Sequence, residues 1–125
     1  MKIDTKPLKI SKKSVEVTGT WAQQDQADDL MITSLETQSQ TDMLKTLKAN
    51  RAFRKKTMAF FKESLGLSEK EIEQAFAKVP GKTMSLYVSY VCGLIEGAPE
   101  ESFADFEKEV TKTDVPKEPS EKSED

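Results

Sequence analysis

The chain contains no histidine and a single cysteine, Cys92. Histidine is the commonest metal ligand and the usual general base near neutral pH, so its absence removes the simplest route to both chemistries. One thiol cannot close an intramolecular disulfide, and a zinc site needs three or four ligands drawn from Cys, His and carboxylates. Cys92 sits inside the apolar run from Leu86 to Ile95 and is read as a small buried hydrophobe. A buried free thiol without a disulfide pair suits a reducing cytoplasm. No apolar stretch approaches the length that spans a bilayer, and the N-terminal Met1-Lys2-Ile3-Asp4-Thr5-Lys6 is too polar for the h-region of a signal peptide. These absences predict a soluble, non-enzymatic chain without metal or cofactor.

Several motif fragments fail on context. Gly81-Lys82-Thr83 ends like a phosphate-binding loop, but the glycine required five residues earlier is replaced by Phe76, inside a predicted helix, and no strand precedes it. Asp28-Asp29 and Glu100-Glu101 are paired acids, yet no calcium-loop spacing accompanies them, so they read as surface charge and helix-start acids. No Gly-x-Ser-x-Gly elbow is present, and no histidine could activate a serine.

What the chain has is helical periodicity. With 36% hydrophobic and 33% charged residues it is polar for a globular domain, so only part of it can supply a core. The first 20 or so residues read as extended, because Lys9-Ile10-Ser11 and Ser14-Val15-Glu16-Val17-Thr18 alternate and Gly19 closes the run. Five lysines (Lys2, Lys6, Lys9, Lys12, Lys13) face one acid, Asp4, in this segment. Trp21, the only tryptophan, is read as a core or lid residue, with an exposed docking residue as the alternative. Residues 23–42 are rich in Gln, Asp and Thr around Leu30-Met31-Ile32 and carry no clear period.

Helical signals begin near Gln40. Met43, Leu44 and Leu47 share a face to which Met58, Phe61 and Leu65 return, with Arg51 and Arg54 on the same stripe. Either this helix breaks near Asn50 or its middle turns project beyond the core, and Gly66 ends it. Ser68-Glu69-Lys70-Glu71 is a capping box opening a helix with Ile72, Ala75, Phe76 and Val79 inward, stopped by Pro80-Gly81. The next helix is apolar on most of its circumference: Met84, Tyr87, Val88, Val91, Leu94 and Ile95 form the stripe, and Leu86, Tyr90 and Cys92 flank it. It is expected at the centre, ending at Gly97. Pro99-Glu100-Glu101 suits a last helix start, with Phe103, Phe106 and Val110 facing one way.

The expected fold is mainly α: a small bundle of about four helices with a short extended, β-like N-terminal segment and a disordered C-terminal tail. The divisions are 1–39 extended, 40–110 helical and 111–125 disordered. The tail has two prolines, one aliphatic residue and five acids against three lysines, which cannot bury enough to offset ordering entropy.

One charge feature carries a functional hypothesis. From Met43 to Lys62 there are seven cations and no acid: Lys45, Lys48, Arg51, Arg54, Lys55, Lys56 and Lys62. The plainest interpretation is a solvated helix face balanced by acids elsewhere. A sharper one is a docking helix for an acidic or helical partner, with Phe53, Phe60 and the flanking Tyr90 as exposed apolar contacts and Lys45, Lys48, Arg51 and Arg54 around them. Phosphate-backbone binding ranks below it, because the whole chain carries a net charge of −3 and no nucleic-acid module surrounds these residues.

The layout resembles the tail assembly chaperones of long-tailed (siphovirus-type) phages of Gram-positive bacteria. The resemblance rests on a small acidic chain, a Lys-rich extended N-terminus, and the block Thr41-Asp42-Met43-Leu44-Lys45-Thr46-Leu47-Lys48-Ala49-Asn50-Arg51-Ala52-Phe53 running on through Phe60-Phe61-Lys62-Glu63. A short capped helix, the apolar Tyr87–Ile95 helix and a charged tail follow. The resemblance implies a protein that binds the tape measure protein and keeps it soluble until tube subunits polymerise. It would act in the host cell cytoplasm and leave before the virion matures. It implies no cofactor and, through a frameshifted longer form, a link to the major tail tube protein. Coating a long partner needs many copies, so weak self-association is expected. A small nucleic-acid-binding protein and a head–tail structural subunit are the alternatives.

Overall fold

The computed structural model describes residues 1–114, with side chains described up to Thr111. Two short strands, β1 (Lys2–Asp4) and β2 (Ser14–Glu16), precede five helices: α1 (Trp21–Gln38), α2 (Met43–Ser64), α3 (Glu69–Lys78), α4 (Gly81–Ile95) and α5 (Phe103–Asp114). The strands pair antiparallel, with Lys2 opposite Glu16 and Asp4 opposite Ser14. The mainly helical class with a short strand pair is as the sequence implies. Strand placement differs in one half. Lys9-Ile10-Ser11 is not extended: it follows a 3-10 turn at Lys6–Leu8, where Pro7 presets the backbone and Lys9 turns left-handed at φ 60.

The larger correction is α1. Residues 21–38 form an 18-residue helix where the sequence suggested the rest of an extended segment reaching 39, so the bundle has five helices instead of about four. Its start is a capping box: the Gln23 amide donates to Thr20 Oγ1 at 3.2 Å, and Gln23 Oε1 accepts from the Thr20 amide at 3.0 Å. Its period is obscured because apolar residues lie on both sides. Ala27 and Leu30 are buried, while Trp21, Ile32 and Leu35 are exposed. Trp21 is 85% exposed, so it is neither core nor lid.

α2 is one unbroken helix, capped by Asp42, whose carboxylate accepts from the Lys45 amide at 3.0 Å. Its inner face is Asn50, Phe53, Thr57, Phe60 and Ser64, at alternating steps of three and four. Of the expected core stripe, Leu44, Leu47 and Met58 form the outer face, rotated from the inner one by about 100°, one residue on a helical wheel, while Met43 is exposed because it is the first residue of the helix. Phe61 and Leu65, also placed on that stripe, are buried near the helix end, where α3 and α4 close over them. Gly66, left-handed at φ 68, turns the chain towards α3, which Ser68 and Glu71 cap as the sequence predicts.

α4 is central, as its apolar circumference implies: Tyr87, Val88, Tyr90, Val91, Cys92, Leu94 and Ile95 are all buried. An aromatic chain runs through it, with Phe61 edge-on to Tyr87 at 6.0 Å and Tyr90 edge-on to Phe103 at 5.5 Å. Both tyrosine hydroxyls bind the N-terminal hairpin. Tyr87 donates to the Asp4 carbonyl at 2.7 Å, and Tyr90 accepts from the Asp4 amide at 3.2 Å while donating to the Glu101 carbonyl at 2.6 Å. The Asp4 carboxylate then accepts from the Phe103 amide at 3.0 Å, while Ser102 Oγ accepts from the Asp105 amide. α5 therefore starts at Phe103, later than Pro99-Glu100-Glu101 suggested, because its capping groups lie at Ser102 and across the fold at Asp4. It runs to Asp114, four residues into the expected disordered tail. The remainder of that tail, 115–125, lies outside the described residues.

Two outcomes test this packing. Gly19 is held at φ 80, and a Cβ there would meet Met1 Cε at 2.8 Å and the Ile95 carbonyl oxygen at 3.3 Å. Gly19→Ala is expected to cost about 1–2 kcal/mol in chemical denaturation, chiefly from the left-handed backbone, since the Met1 side chain can yield. Cys92 is 3% exposed beside the Ala27 carbonyl, and burial pushes its thiol up to about 12, with Glu96 and Asp28 adding to the rise. A thiol reagent at pH 8 is expected to leave native Cys92 unmodified and to label it fully in denaturant.

Candidate partner-binding surface

Side-chain contacts fix the register of the α1–α2 hairpin. Ser64 Oγ donates to Gln26 Oε1 at 2.7 Å, and Lys56 Nζ donates to Thr33 Oγ1 at 3.0 Å and Asp29 Oδ1 at 3.2 Å. At the helical rise, this register places the end of α1 level with about residue 51 of α2, so the first two turns of α2 run roughly 10 Å past it. Those turns carry Met43, Leu44 and Leu47, which are 76%, 59% and 54% exposed. Ile32 and Leu35 of α1 are exposed as well, level with about residues 57 and 54 of α2 and so roughly 10 Å or more along the hairpin from Leu47. Five of the seven large exposed hydrophobic residues among those described thus lie on the distal half of this hairpin. The exposed hydrophobes concentrate on one part of the molecule instead of scattering singly, which makes it the candidate surface.

Cations surround this apolar tip. Lys45, Lys48, Arg51 and Arg54 are all exposed on α2, as the sequence suggested. Lys56 is the one α2 cation that forms an ion pair among the described residues, with Asp29. The others, with Lys55 and Lys62, face solvent.

The three aromatic candidates fare differently. Phe53 is half-buried and forms a wall between two shallow grooves. One groove, of about 470 Å³, is bounded by Met31, Leu86 and Val110, and the other, of about 360 Å³, by Arg54, Phe76, Val79 and Met84. Phe60 and Tyr90 are each 1% exposed, so neither is available to a partner. Phe60 lies on the true inner face of α2, one residue round from the stripe the sequence suggested. Tyr90 is enclosed by Tyr87, Phe103 and Phe106 because α5 folds back over that side of α4.

Sequence reasoning missed Ile32, Leu35 and the outward role of Met43, Leu44 and Leu47. The available signal was spacing: Trp21, Asp25, Asp28, Ile32 and Leu35 recur at steps of four and three, a full helical stripe that mixes acids with hydrophobes. No groups of three or more His, Cys, Asp or Glu among the described residues are arranged to hold a metal ion. No described helix is long and apolar enough to cross a membrane. No family model, curated protein or solved structure matches the chain.

Proposed function

We propose that this chain is a non-catalytic binding protein that works as a tail assembly chaperone, covering apolar stripes of a long helical tape measure protein with the projecting end of α2. The observation that supports this reading most is the tip itself: Met43, Leu44 and Leu47 stand in solvent on turns that no other element covers. Exposed aliphatic side chains flanked by Lys45, Lys48 and Arg51 suit a partner helix with apolar positions bordered by acids. The apolar contacts supply affinity, and the cations steer association and choose orientation. Phe53 and its two grooves lie on the opposite side of α2 from Leu44 and offer a separate apolar contact. Release before the virion matures, and recruitment of the tube protein by a longer frameshifted form, belong to the same reading.

The test is co-expression with the long coiled-coil-like product of the neighbouring gene. The expected result is a soluble complex that forms only when this chain is present. Equal solubility of that product alone sinks the proposal. The unpaired cations of α2 favour one competing reading, a nucleic-acid-binding accessory protein. That reading expects affinity for duplex DNA or RNA to fall steeply with salt, in proportion to the phosphates neutralised.

A further inference from the structure

The outer faces of α1 and α2 are chemically opposite. α1 has four acids and no cation, whereas α2 has no acid before Glu63. The solvent-facing stripe of α1 is Trp21, Asp25, Asp28, Ile32 and Leu35, and all five are exposed. The solvent-facing stripe of α2 is Leu44, Leu47, Arg51, Arg54 and Met58, again all exposed. Both stripes step by alternating threes and fours, the spacing with which two helices interlock along a seam.

Laid antiparallel, the two stripes match at every layer. Trp21 meets Met58, Asp25 meets Arg54, Asp28 meets Arg51, Ile32 meets Leu47 and Leu35 meets Leu44. The residue numbers of each pair add to one constant, as antiparallel register demands. No other alignment of these stripes, parallel or antiparallel, places all three apolar layers and both ionic layers together. We propose that the α1 stripe of one copy docks antiparallel on the α2 stripe of a second copy in this register.

The contact cannot form within one chain. The hairpin holds Gln26 level with Ser64 and Thr33 level with Lys56, a register displaced from the matched one by about ten residues, roughly 15 Å. The same displacement decides the symmetry. A two-fold axis along the helices would impose the hairpin's own register, so the matched contact is heterologous and repeats from copy to copy instead of closing as a dimer. The acidic half also lacks cations of its own: Glu96, at the end of α4, lies against Asp28 and Asp25, and its carboxyl is held above its usual range, first by its hydrogen bond with Asp28. Arg51 and Arg54 of a second copy would supply the missing positive charge.

Leu44, Leu47 and Arg51 belong to both proposed contacts, so a second copy and the tape measure protein compete for this end of α2. Sedimentation velocity of the full chain across a wide concentration range at low salt tests it. The wild type is expected to grow in mass past twice the protomer. Asp25→Arg/Asp28→Arg and Arg51→Asp/Arg54→Asp are each expected to stay monomeric while retaining helical circular dichroism. An equimolar mixture of the two is expected to associate, since it restores every charge pair. The milder pair Arg51→Gln/Arg54→Gln should weaken association about tenfold and serves if a reversal unfolds the chain. A wild type that stays monomeric, a mass that plateaus at the dimer, or a mixture that stays monomeric overturns the proposal. A monomeric wild type that binds an acidic amphipathic peptide would assign the α2 stripe to foreign helices only. Asp25→Arg/Asp28→Arg leaves the α2 stripe intact, so loss of self-association with retained solubilisation of the tape measure protein separates the two proposals.

Discussion

Phe61→Ala is expected to lower the free energy of unfolding by about 3–5 kcal/mol. Phe61 is fully enclosed near the end of α2, and its ring touches three others: Phe60 at 6.3 Å, Phe76 at 6.4 Å and Tyr87 at 6.0 Å. These contacts join α2, α3 and α4, so truncation opens a cavity at a junction that no single helix can shift to fill. The loss combines the transfer free energy of the ring with the cost of the unfilled space. Set against the 5–15 kcal/mol that holds a typical domain, it consumes a large share of the stability. Urea unfolding followed by circular dichroism measures it, through a lower midpoint at an unchanged slope. A loss below about 1 kcal/mol would mean that the site collapses freely and that the three-helix junction is looser than the ring contacts indicate.

The second large effect spares stability and removes binding. Leu44→Asp/Leu47→Asp is expected to abolish solubilisation of the tape measure protein in co-expression, while the unfolding midpoint changes by no more than surface substitutions usually cause, within about 0.5 kcal/mol per site. Both leucines are more than half exposed on turns that overhang α1, so the folded chain gains little from them. A partner that buries them gains the transfer free energy of two aliphatic side chains, of the order of 1.5–3 kcal/mol each. Replacing them with carboxylates removes that gain and places like charge against the acidic borders of the expected partner stripe. If the variant solubilises as well as the wild type, the projecting end of α2 is not the binding surface. The contrast between the two variants is informative in itself: one aromatic holds the bundle together, and two leucines on the first two turns of the same helix contribute little to it.

Much of this architecture was legible before folding. The capping box at Ser68, the left-handed glycines Gly66 and Gly97, and the apolar circumference of α4 are local features, and local sterics and backbone hydrogen bonding suffice to place them. The exposure of Lys45, Lys48, Arg51 and Arg54 was also readable, because desolvating a lone cation is costly wherever the helix packs. The helix of residues 21–38 was less so. Its capping box at Thr20 is a local signal, but its apolar residues face two directions and cancel the period on which helix recognition depends.

The functional surface illustrates the difference best. Sequence determined which residues share a helical face, that α2 is basic and α1 acidic, and that the chain carries no histidine. Only the tertiary structure decided which face turns inward. On α2 the more apolar stripe of the first half, with Leu44 and Leu47, points to solvent, and the stripe of Asn50, Phe53, Thr57, Phe60 and Ser64 points inward. Periodicity alone cannot make that choice, because burial depends on where α1, α3 and α4 place their own side chains. The Gln26–Ser64 and Lys56–Thr33 contacts set the hairpin register, and that register leaves two turns of α2 beyond the end of α1. Phe60 and Tyr90 are enclosed for the same reason: elements distant in sequence fold over them, and no spacing rule within their own helices reports that.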